Sequence, residues 1–531
     1  MHPEPLKSCA DPAARFQRWG CAAFCLLLLV FVPLFVRMPL TSDTVLYDLQ
    51  ARTVLSGGVL YRDILEPNLP GVVWVHLLVR SLVGWSSEAM RLVDLLIVGS
   101  ALGVLAGLAG WMHRRPQHPA VSSEPSGDFA SGICLIPGVW LLMMMATFYL
   151  SRNEWCHCQR DIWMLLPVSL AMLLRVQRYG RHGRSGDMLR CLAEGLCWGA
   201  AFWIKPHVAV PAAFVMLTDL WLAENRREEL RRILLVIPGG LLAAVPGILW
   251  LVGSGGWSDF LEMQLNWNPE YLRAGAERRS LLRIWYMVRR FHPWWLVDWA
   301  GLTAALLVFL QVVRLRAGGN RISDAERWSL SLAALAVSWF LQALLLQHAM
   351  DYIQVAPILL MLTFLSSLRV RVPALRCRIM ICAAAGWGLL AAPQLTSERL
   401  RWWPECVGGG GSPEMRSALA CGRFPDWSGI DHVVTFLRNE HVGPGDVTCF
   451  SVHSIHVYAA LNLLPSTRYV GVAALQQLFW SRRQEIESTV IGCGHRFVVT
   501  DNDEVPPEPG CFPWTLPVVC ESGSLRVHAV R

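Results

Sequence analysis

Four short polar segments lie between long apolar runs and carry the side chains best suited to chemistry. The side chains of most interest in these segments are, in chain order, Asp43, Glu154, Arg160, Asp161, Lys205, His207, His348 and Asp351, with Tyr352 beside the last. A carboxylate can take a proton from an attacking hydroxyl group. A lysine or arginine can hold a phosphate by charge-assisted hydrogen bonds. The segments therefore contain the groups needed to deprotonate a hydroxyl and to bind a phosphate.

Asp43 comes directly after the first apolar run and precedes an amphipathic pattern over residues 43–56. Apolar residues recur there at helical spacing, which predicts a helix lying just above the bilayer surface. Asp43 can serve such a helix as its N-cap, with the carboxylate accepting backbone N–H groups. The same carboxylate can act as a general base toward a hydroxyl group. Both roles are open, and one residue can fill both.

The second segment, residues 151–161, is dense in charge and lies between two apolar runs. Ionisable groups at the mouth of membrane helices are costly unless they are paired or functional. One interpretation is a solvated loop whose charges pair with one another. The other places Glu154 and Asp161 beside Asp43, so that two acidic loops face one substrate.

The third and fourth segments add basic side chains. Lys205 stands alone between two short apolar runs. Its stem can run along apolar surface so that the ammonium reaches water, or the ammonium can meet a phosphate. His348 lies near Asp351 and Tyr352, where it can bind a phosphate or cap a helix.

The elements that position these segments are long apolar runs. Of the 531 residues, 54% are hydrophobic and 16% are charged, and the mean hydropathy is +0.38; soluble domains are about a quarter charged. The runs lie near 21–36, 91–112, 132–150, 162–178, 190–204, 207–222, 233–252, 294–313, 328–346, 353–368 and 377–394. They predict an all-α polytopic membrane protein with about eleven transmembrane helices. A shorter stretch at 71–84 predicts a re-entrant or interfacial helix.

Basic residues determine the predicted orientation. Three precede the first run, and arginines recur in the loops at 113–131, 179–189, 223–232, 314–327 and 369–376. The positive-inside rule puts these loops and the N-terminus in the cytoplasm. The long loop 253–293 then lies outside, and its amphipathic stretch 281–295 predicts a helix on the membrane surface. Since the net charge of +7 follows from these loops, nucleic acid is not an expected partner.

Residues 395–531 differ in kind from residues 1–394, which form the predicted membrane domain. After a glycine-rich turn at 408–411, short segments predict helices at 430–438 and 455–464 and strands at 446–452 and 495–500. They indicate a small C-terminal α/β domain on the extracytoplasmic side. Disulfides can form in an exported domain, and the cysteines available for them are Cys406, Cys421, Cys449, Cys493, Cys511 and Cys520.

These segments, in this order, resemble the C superfamily of integral-membrane glycosyltransferases. Within it they look most like the dolichyl-phosphate-mannose protein mannosyltransferases and the bacterial aminoarabinose and lipopolysaccharide-core transferases. The matching residues are Asp43, the run from Gly57 to Asp63, the turn from Glu66 to Gly71, Asp161, Lys205-Pro206 and, more loosely, His348 with Asp351-Tyr352. The tail around residues 464–469 is also similar to the outer domains of these enzymes, so the resemblance covers most of the chain.

Two departures from the family pattern stand out. Many relatives have a second acid directly after the first aspartate, where this chain has Thr44. Many also have a lysine before a Pro-Pro pair, where this chain has Asn68-Leu69-Pro70. A second acid at position 44 is therefore excluded, and phosphate binding at position 68 is not expected.

The resemblance implies a sugar donor on polyprenyl phosphate, a lipid, glycan or protein acceptor, and inverting transfer of a hexosyl or pentosyl unit. Asp43 would be the general base, and Asp161 or Glu154 would help position the acceptor. The residues expected to bind substrate are Arg160, Lys205, His207, His348, Tyr352, Tyr61 and Arg62, of which Arg160, Lys205 and His348 would stabilise the phosphate leaving group. No cofactor and no metal ligands are predicted, although some relatives use a divalent metal ion. The expected location is the plasma (inner) membrane.

Two other functions fit a multi-pass chain. A transporter places ionisable residues near the bilayer midplane, often in repeated halves, whereas here the charges gather at one mouth and no repeat is visible. A catalytically inactive scaffold of the same fold is the second alternative, with the tail binding a partner. Thr44 and Asn68 keep that alternative open.

Overall fold

The structure is a computed structural model that describes residues 12–114, 133–134, 138–178, 184–370, 373–393, 395–420 and 425–530. Several predicted features, among them the basic residues Lys7, Arg115, Arg181 and Arg371 and the thiol of Cys421, lie outside these residues. The described part is mainly helical, with a short two-stranded antiparallel sheet and a four-stranded sheet near the C-terminus.

Among the residues that the structure describes, seventeen α-helices precede the tail. The first ten are α1 (Pro12–Arg37), α2 (Ser42–Leu55), α3 (Gly71–Val83), α4 (Ser87–Arg114), α5 (Gly138–Leu150), α6 (Arg160–Trp163), α7 (Leu165–Val176), α8 (Arg184–Ile204), α9 (Ala209–Leu222) and α10 (Arg226–Gly253). The remaining seven are α11 (Trp257–Glu262), α12 (Asn268–Glu277), α13 (Leu281–Arg290), α14 (Trp295–Ala317), α15 (Asp324–Leu346), α16 (Val355–Ser367) and α17 (Ala374–Leu390).

A helix lies at each of the eleven predicted apolar runs, because a helix satisfies its backbone hydrogen bonds within one segment and so suits the bilayer. Within the described ranges, five helices are long and apolar enough to cross a membrane, namely α1, α4, α10, α14 and α15. The chain therefore has the composition of a membrane protein, and the crossing by the other six helices stays a prediction. The stretch predicted to be re-entrant or interfacial forms α3, which has 13 residues.

Close helix packing in this bundle depends on small residues. Gly195 and Gly199 lie on α8 and face α10, where Gly239 lies. A Cβ atom at Gly195 would come within 2.0 Å of the Val236 carbonyl oxygen. Small residues let membrane helices approach until their backbones touch, which explains the glycines on both helices.

The N-terminus of α2 corrects one prediction. Its N-cap is Thr41, whose hydroxyl accepts the backbone N–H of Thr44. Asp43 is the second residue of the helix, so the prediction that its carboxylate caps the helix is wrong. Threonine and aspartate are both good N-caps, and the helix begins two residues earlier than the cap prediction required. The Asp43 carboxylate is thereby left free for other partners.

The long loop after α10 is helical. It contains α11, a π-helical turn at Met263–Trp267, α12 and α13. On α13, Leu281, Leu282 and Trp285 are exposed among arginines. This is the amphipathic pattern from which a surface helix was predicted.

The described residues of the tail form seven α-helices and a four-stranded sheet. The helices are α18 (Ser397–Leu400), α19 (Trp403–Gly408), α20 (Pro413–Leu419), α21 (Trp427–Asn439), α22 (His456–Leu461), α23 (Val472–Leu478) and α24 (Arg483–Gly492). The strands in the part of the chain that the structure describes are β1 (Ile133–Cys134), β2 (Arg369–Val370), β3 (Val447–Cys449), β4 (Phe497–Asp501), β5 (Val518–Ser522) and β6 (Leu525–Ala529). The sheet order is β3-β4-β6-β5, with β3 parallel to β4 and the other pairs antiparallel.

The predicted tail segments match α21, α22, β3 and β4, while β5, β6, α23 and α24 were not predicted. The described tail thiols, those of Cys406, Cys449, Cys493, Cys511 and Cys520, are free. The boundary at residues 394 and 395 stays a prediction. Helices α19 and α20 pack against Leu34 of α1, so the first part of the tail rests on the membrane bundle.

Candidate functional site

Side chains from five parts of the chain meet in one polar cluster above the helix bundle. We use the name polar cluster for Asp43, Tyr47, Gln159, Arg160, Asp161, Lys205, Tyr271, Gln347 and Tyr352. All four polar segments singled out in the sequence thus contribute, two of them with cations and two with acids. The long loop between α10 and α14 adds Tyr271.

Asp43 lies in the first turn of α2 and is half-buried. Its Oδ2 atom accepts a hydrogen bond from the side-chain amide of Gln159 at 3.5 Å. Burial raises the pKa of Asp43, while the charge of Arg160 and the bond from Gln159 act in the opposite direction. A carboxylate with a raised pKa is a stronger base toward a hydroxyl group.

Arg160 begins the short helix α6 and is buried. Its guanidinium lies among the phenol groups of Tyr47, Tyr271 and Tyr352, and it shares a hydrogen bond with the Tyr271 side chain. Its charge also acts on Asp43 and Asp161. Because a guanidinium keeps its charge and presents a planar set of donors, it suits recognition of a phosphate.

Lys205 follows α8 directly and is 4% exposed. Its ammonium donates to Asp161 Oδ1 and to Gln347 Oε1, each at 2.5 Å. The prediction that the ammonium reaches water is therefore wrong. Burial lowers the pKa of Lys205 to about 8, against the opposing charge of Asp161. The other carboxylate oxygen of Asp161 is buried and has no hydrogen-bond partner among the described residues.

This arrangement bears on the two interpretations of the second segment through Asp161. Asp161 pairs with Lys205 rather than with a basic residue of its own segment, so the interpretation that the segment's charges pair with one another fails for this residue. Asp161 also lies close enough to Asp43 for its charge to affect that carboxylate. The two acidic loops therefore meet at this point.

Glu154 belongs to the same segment but faces another space. It lies in the 3-10 turn Glu154–Cys156 and is 4% exposed. Together with Thr41, Ser42 and Trp155 it lines a small cavity of about 10 Å³ against the tail. The groups that act on Asp43 are Arg160, Gln159, Asp161 and Lys205. Asp161 is thus the better placed of the two acids predicted to assist Asp43.

Glu66 is a further buried acid at the edge of the polar cluster. Its carboxylate accepts from Gln50 at 2.8 Å and from the backbone N–H of Asn68 at 2.7 Å. Burial raises the pKa of Glu66, and the charge of Arg160 opposes the shift. The Asn68 side chain also donates to Glu66 at 2.5 Å. Asn68 therefore helps to hold the buried Glu66 carboxylate in this loop.

Two histidines near the polar cluster, His207 and His348, have different surroundings. His207 lies in the turn after Lys205, and its Nδ1 atom is buried without a partner among the described residues. His348 stacks on Tyr271 with 4.4 Å between ring centroids, in space left by Gly275. Burial lowers the pKa of His348 to about 4, helped by Arg278. His348 is therefore neutral at pH 7 and offers a hydrogen bond rather than a charge.

His348 does not cap a helix, since the next helical turn, Asp351–Gln354, has Met350 as its N-cap. Tyr352 lies in that turn, and the Lys205 ammonium is 5.8 Å from its ring centroid. Asp351 pairs with Arg290 on α13 at 3.0 Å. The fourth segment thus connects the polar cluster to the amphipathic helix.

Tyr61 and Arg62 occupy different surroundings from the polar cluster. Tyr61 is buried, donates to the Asn68 carbonyl oxygen at 2.8 Å and packs on Phe260. Arg62 is exposed and pairs with Asp63 at 3.0 Å. It lines an open groove of about 640 Å³ between the first loop and the tail. Their predicted contact with substrate stays a prediction.

Two buried contacts hold α2 in place. Asp48 on α2 accepts from His76 Nδ1 at 2.8 Å and from Arg80 Nε at 2.7 Å, both on α3. Arg80 continues to the carbonyl oxygens of Gly84 and Ser86 at 2.9 and 2.8 Å. These hydrogen bonds hold α2, and with it Asp43 and Tyr47, against α3.

The tail holds α12, which carries Tyr271. The Ser481 backbone N–H and hydroxyl donate to the Glu270 carboxylate at 2.9 and 2.7 Å. Beside this contact, Trp267 packs on Phe479 with 5.1 Å between ring centroids. Tyr271 therefore reaches Arg160 from a helix that the tail supports.

Sequence reasoning missed Gln159, Tyr47, Tyr271 and Gln347 as site residues. Gln159, Tyr47 and Gln347 lie within the polar segments but carry no charge, so nothing distinguished them from their neighbours. Tyr271 follows the polar run Asn268-Pro269-Glu270 in the long outer loop, which is the one signal that could have drawn attention to it. Among the described residues, no group of three His, Cys, Asp or Glu side chains is arranged to hold a metal ion.

Comparison with known proteins identifies the fold. No family model matches the sequence, and comparison with curated proteins gives no match. Among solved structures, the chain is similar to ArnT from Cupriavidus metallidurans bound to undecaprenyl phosphate, with 14% identity, a TM-score of 0.58 and coverage of 97% of both chains. It is also similar to the archaeal oligosaccharyltransferase AglB from Archaeoglobus fulgidus, with 13% identity, a TM-score of 0.47, and coverage of 92% of this chain and 70% of that one.

The likeness to ArnT extends along nearly the whole of both chains, so this protein shares its fold with that aminoarabinose transferase. The multi-helix fold expected from the sequence resemblance is thus the fold that this chain shares with ArnT.

Proposed function

We propose that this protein transfers a sugar from a polyprenyl-phosphate donor to a hydroxyl group of a lipid, glycan or protein acceptor. The transfer inverts the anomeric carbon and moves a hexosyl or pentosyl unit. The observation that carries this proposal is the polar cluster, in which the Asp43 carboxylate lies beside the cations Arg160 and Lys205. The fold shared with ArnT, whose structure contains undecaprenyl phosphate, supports the choice of donor.

In the proposed reaction the acceptor oxygen attacks the anomeric carbon and forms the new C–O bond. The bond between that carbon and the phosphate oxygen breaks, and its electron pair leaves with the polyprenyl phosphate. The Asp43 carboxylate takes the acceptor proton as the bond forms. A single displacement of this kind inverts the anomeric centre.

The leaving phosphate gains negative charge as the bond breaks. Arg160 and Lys205 can stabilise this charge, because they are already oriented and largely shielded from water. Lys205 is held by Asp161 and Gln347, and the Arg160 guanidinium shares a hydrogen bond with the Tyr271 side chain. Both cations therefore need little reorganisation when the phosphate leaves.

We further propose that the polar cluster and the tail face the extracytoplasmic side of the plasma membrane, with the N-terminus in the cytoplasm. The arginine-rich loops at 113–131, 179–189, 223–232, 314–327 and 369–376 support this orientation through the positive-inside rule. Alkaline phosphatase, which is active only after export, should be active when fused after Arg531 and inactive when fused within residues 314–327. The opposite pattern would invert the topology.

The function is tested by a transfer assay with the purified full chain in lipid nanodiscs. Radiolabelled sugar is followed from polyprenyl-phosphate donors to acceptors extracted from the source membrane. Asp43→Asn should lower transfer by at least about a hundredfold, as the loss of a general base does. Asp259→Asn is the matched control, because Asp259 is half-buried in the outer loop and contacts Ser258 outside the polar cluster.

Equal transfer by wild type and Asp43→Asn would reject Asp43 as the base. Failure of the wild type with a broad donor set would reject the enzyme and favour the scaffold. Passage of the labelled donor across the bilayer without transfer would favour the transporter.

A further inference from the structure

The tail touches the first and second outer segments through one histidine. His453 begins the 3-10 turn His453–Ile455 between β3 and α22. Its Nδ1 atom lies 2.9 Å from the Ser42 hydroxyl oxygen, at hydrogen-bond distance. Its ring meets Trp155 edge to face, with 5.7 Å between centroids. Ser42 precedes Asp43 and Trp155 follows Glu154, so one tail residue contacts the direct neighbours of two predicted acids.

The turn that carries His453 is itself firmly held. The backbone N–H groups of Val452 and His453 both donate to the Glu504 carboxylate, each at 2.8 Å. Glu504 follows β4, the central strand beside β3. The His453 ring is therefore anchored to the sheet of the tail and not to a free loop.

On the membrane side, three successive residues at the start of α2 each have a partner from a different place. Thr41 accepts from Thr44 within the helix, Ser42 meets His453 of the tail, and Asp43 accepts from Gln159 of the second segment. Ser42 is 1% exposed. A change in the direction of this turn would move the Asp43 carboxylate relative to Gln159 and Arg160.

The surroundings of the contact between His453 and Ser42 are closely packed. The cavity that Thr41, Ser42, Trp155 and His453 share has a volume of about 10 Å³, which is room for one water molecule. The ring has little space to move away from Ser42. Burial lowers the pKa of His453 to about 4, so the imidazole is neutral near pH 7 and one of its ring nitrogens can accept a hydrogen bond.

We propose that His453 is a positioning residue through which the tail sets the orientation of Asp43, acting by its hydrogen bond to Ser42. This inference rests on the proposed function for its effect on the rate. Its effect on the first turn of α2 does not depend on that function.

The test compares His453→Phe with His453→Asn in the full chain in nanodiscs. Phenylalanine keeps the ring against Trp155 and removes the hydrogen bond, whereas an asparagine amide can replace Nδ1. We expect His453→Phe to lower kcat by at least about tenfold, since small misplacement of a reacting group is costly, with KM unchanged. His453→Asn should recover most of the rate. His432→Phe, at an exposed histidine on α21, is the matched control.

Hydrogen–deuterium exchange gives the second readout. Backbone amides of residues 42–47 should exchange faster in His453→Phe than in the wild type or in His432→Phe. Ser42→Ala should lower kcat by a similar factor. The double variant Ser42→Ala with His453→Phe should lose no more than either single variant, because contacting residues are not additive.

Three results would overturn the inference: unchanged exchange at residues 42–47, an unchanged kcat in an active protein, or additive losses in the double variant. A wild type that transfers no sugar would reject the proposed function, and the exchange measurement would then decide on His453 by itself. If His453→Phe fails to fold, Ser42→Ala supplies both readouts.

Discussion

The ammonium of Lys205 lies 2.5 Å from Asp161 Oδ1, although 44 residues separate the two along the chain. Gln347, which is 142 residues from Lys205, accepts from the same ammonium. Asp161 keeps its second carboxylate oxygen without a partner among the described residues. These contacts of Lys205 therefore join three polar segments and hold a buried cation beside the other members of the polar cluster.

The pH dependence of the reaction follows from this lysine. Burial lowers the pKa of Lys205 to about 8, so the side chain is a cation below that pH and neutral above it. We expect kcat/KM to fall as the pH rises through about 8, because kcat/KM reports on groups of the free enzyme. Lys205→Arg should remove this fall, since arginine stays charged. A pH profile with the same fall in Lys205→Arg would assign it to another group.

Asp161→Asn should move the same fall in kcat/KM to lower pH. The Asp161 charge and its hydrogen bond both raise the pKa of Lys205 against burial. Without them, burial lowers the pKa of Lys205 further, and the ammonium gives up its proton at a lower pH. The pH profile of kcat/KM measures the shift, with Asp259→Asn as the control. A shift to higher pH, or none, would show that Asp161 does not hold the Lys205 charge.

Tyr271→Phe should weaken the site through Arg160. The Tyr271 hydroxyl shares a hydrogen bond with the Arg160 guanidinium, and a hydrogen bond to a charged group is worth about 1.5–3 kcal/mol. We expect kcat/KM to fall by about 10- to 100-fold. Tyr286→Phe is the matched control, because the exposed Tyr286 bonds Arg290 at 3.2 Å away from the polar cluster. Equal kinetics of the two variants would count against a role for Tyr271.

Asp48→Asn should lower the stability of the protein by roughly 3–5 kcal/mol, because it removes one partner of a buried ion pair. His76 and Arg80 would keep their buried positions on α3 without the Asp48 charge. A lower Tm in detergent micelles measures the loss. Asp63→Asn is the control, since the exposed pair of Asp63 with Arg62 contributes little. Equal Tm values for the two variants would show that the pairing of Asp48 with His76 and Arg80 is not stabilising.

The free energy of unfolding should also depend on pH at low pH because of Asp48. Burial raises the pKa of Asp48, but the bonds and charges of His76 and Arg80 outweigh burial, so the pKa is lowered overall. This contribution is present above the unfolded value of about 3.9 and is lost as the pH falls through the lower folded pKa. The acid-unfolding curve of Asp48→Asn should lack this contribution. A curve identical to that of the wild type would contradict the prediction.

Much of the helical fold was predictable because apolar run length is a local property. The helices at the eleven predicted runs, α2 and α3 all follow from the spacing of apolar residues. The N-cap of α2 was not predictable to the residue, since Thr41 and Asp43 are both suitable caps. Strands β5 and β6 were missed because strand pairing depends on partners from distant segments. In β5, three of the five side chains are exposed, so it gave little apolar signal.

The sequence by itself determined that this is a helical membrane chain with acids and cations gathered in four polar segments. It also indicated Asp43, Arg160, Asp161 and Lys205 as candidates, because ionisable groups beside apolar runs are costly without a use. Their mutual arrangement came only from the tertiary structure. Lys205 pairs with Asp161, and His453 contacts Ser42, which is 411 residues away in the sequence. Such pairs form when separate helices and the tail pack together, and helical periodicity, which is local, contains no information about them.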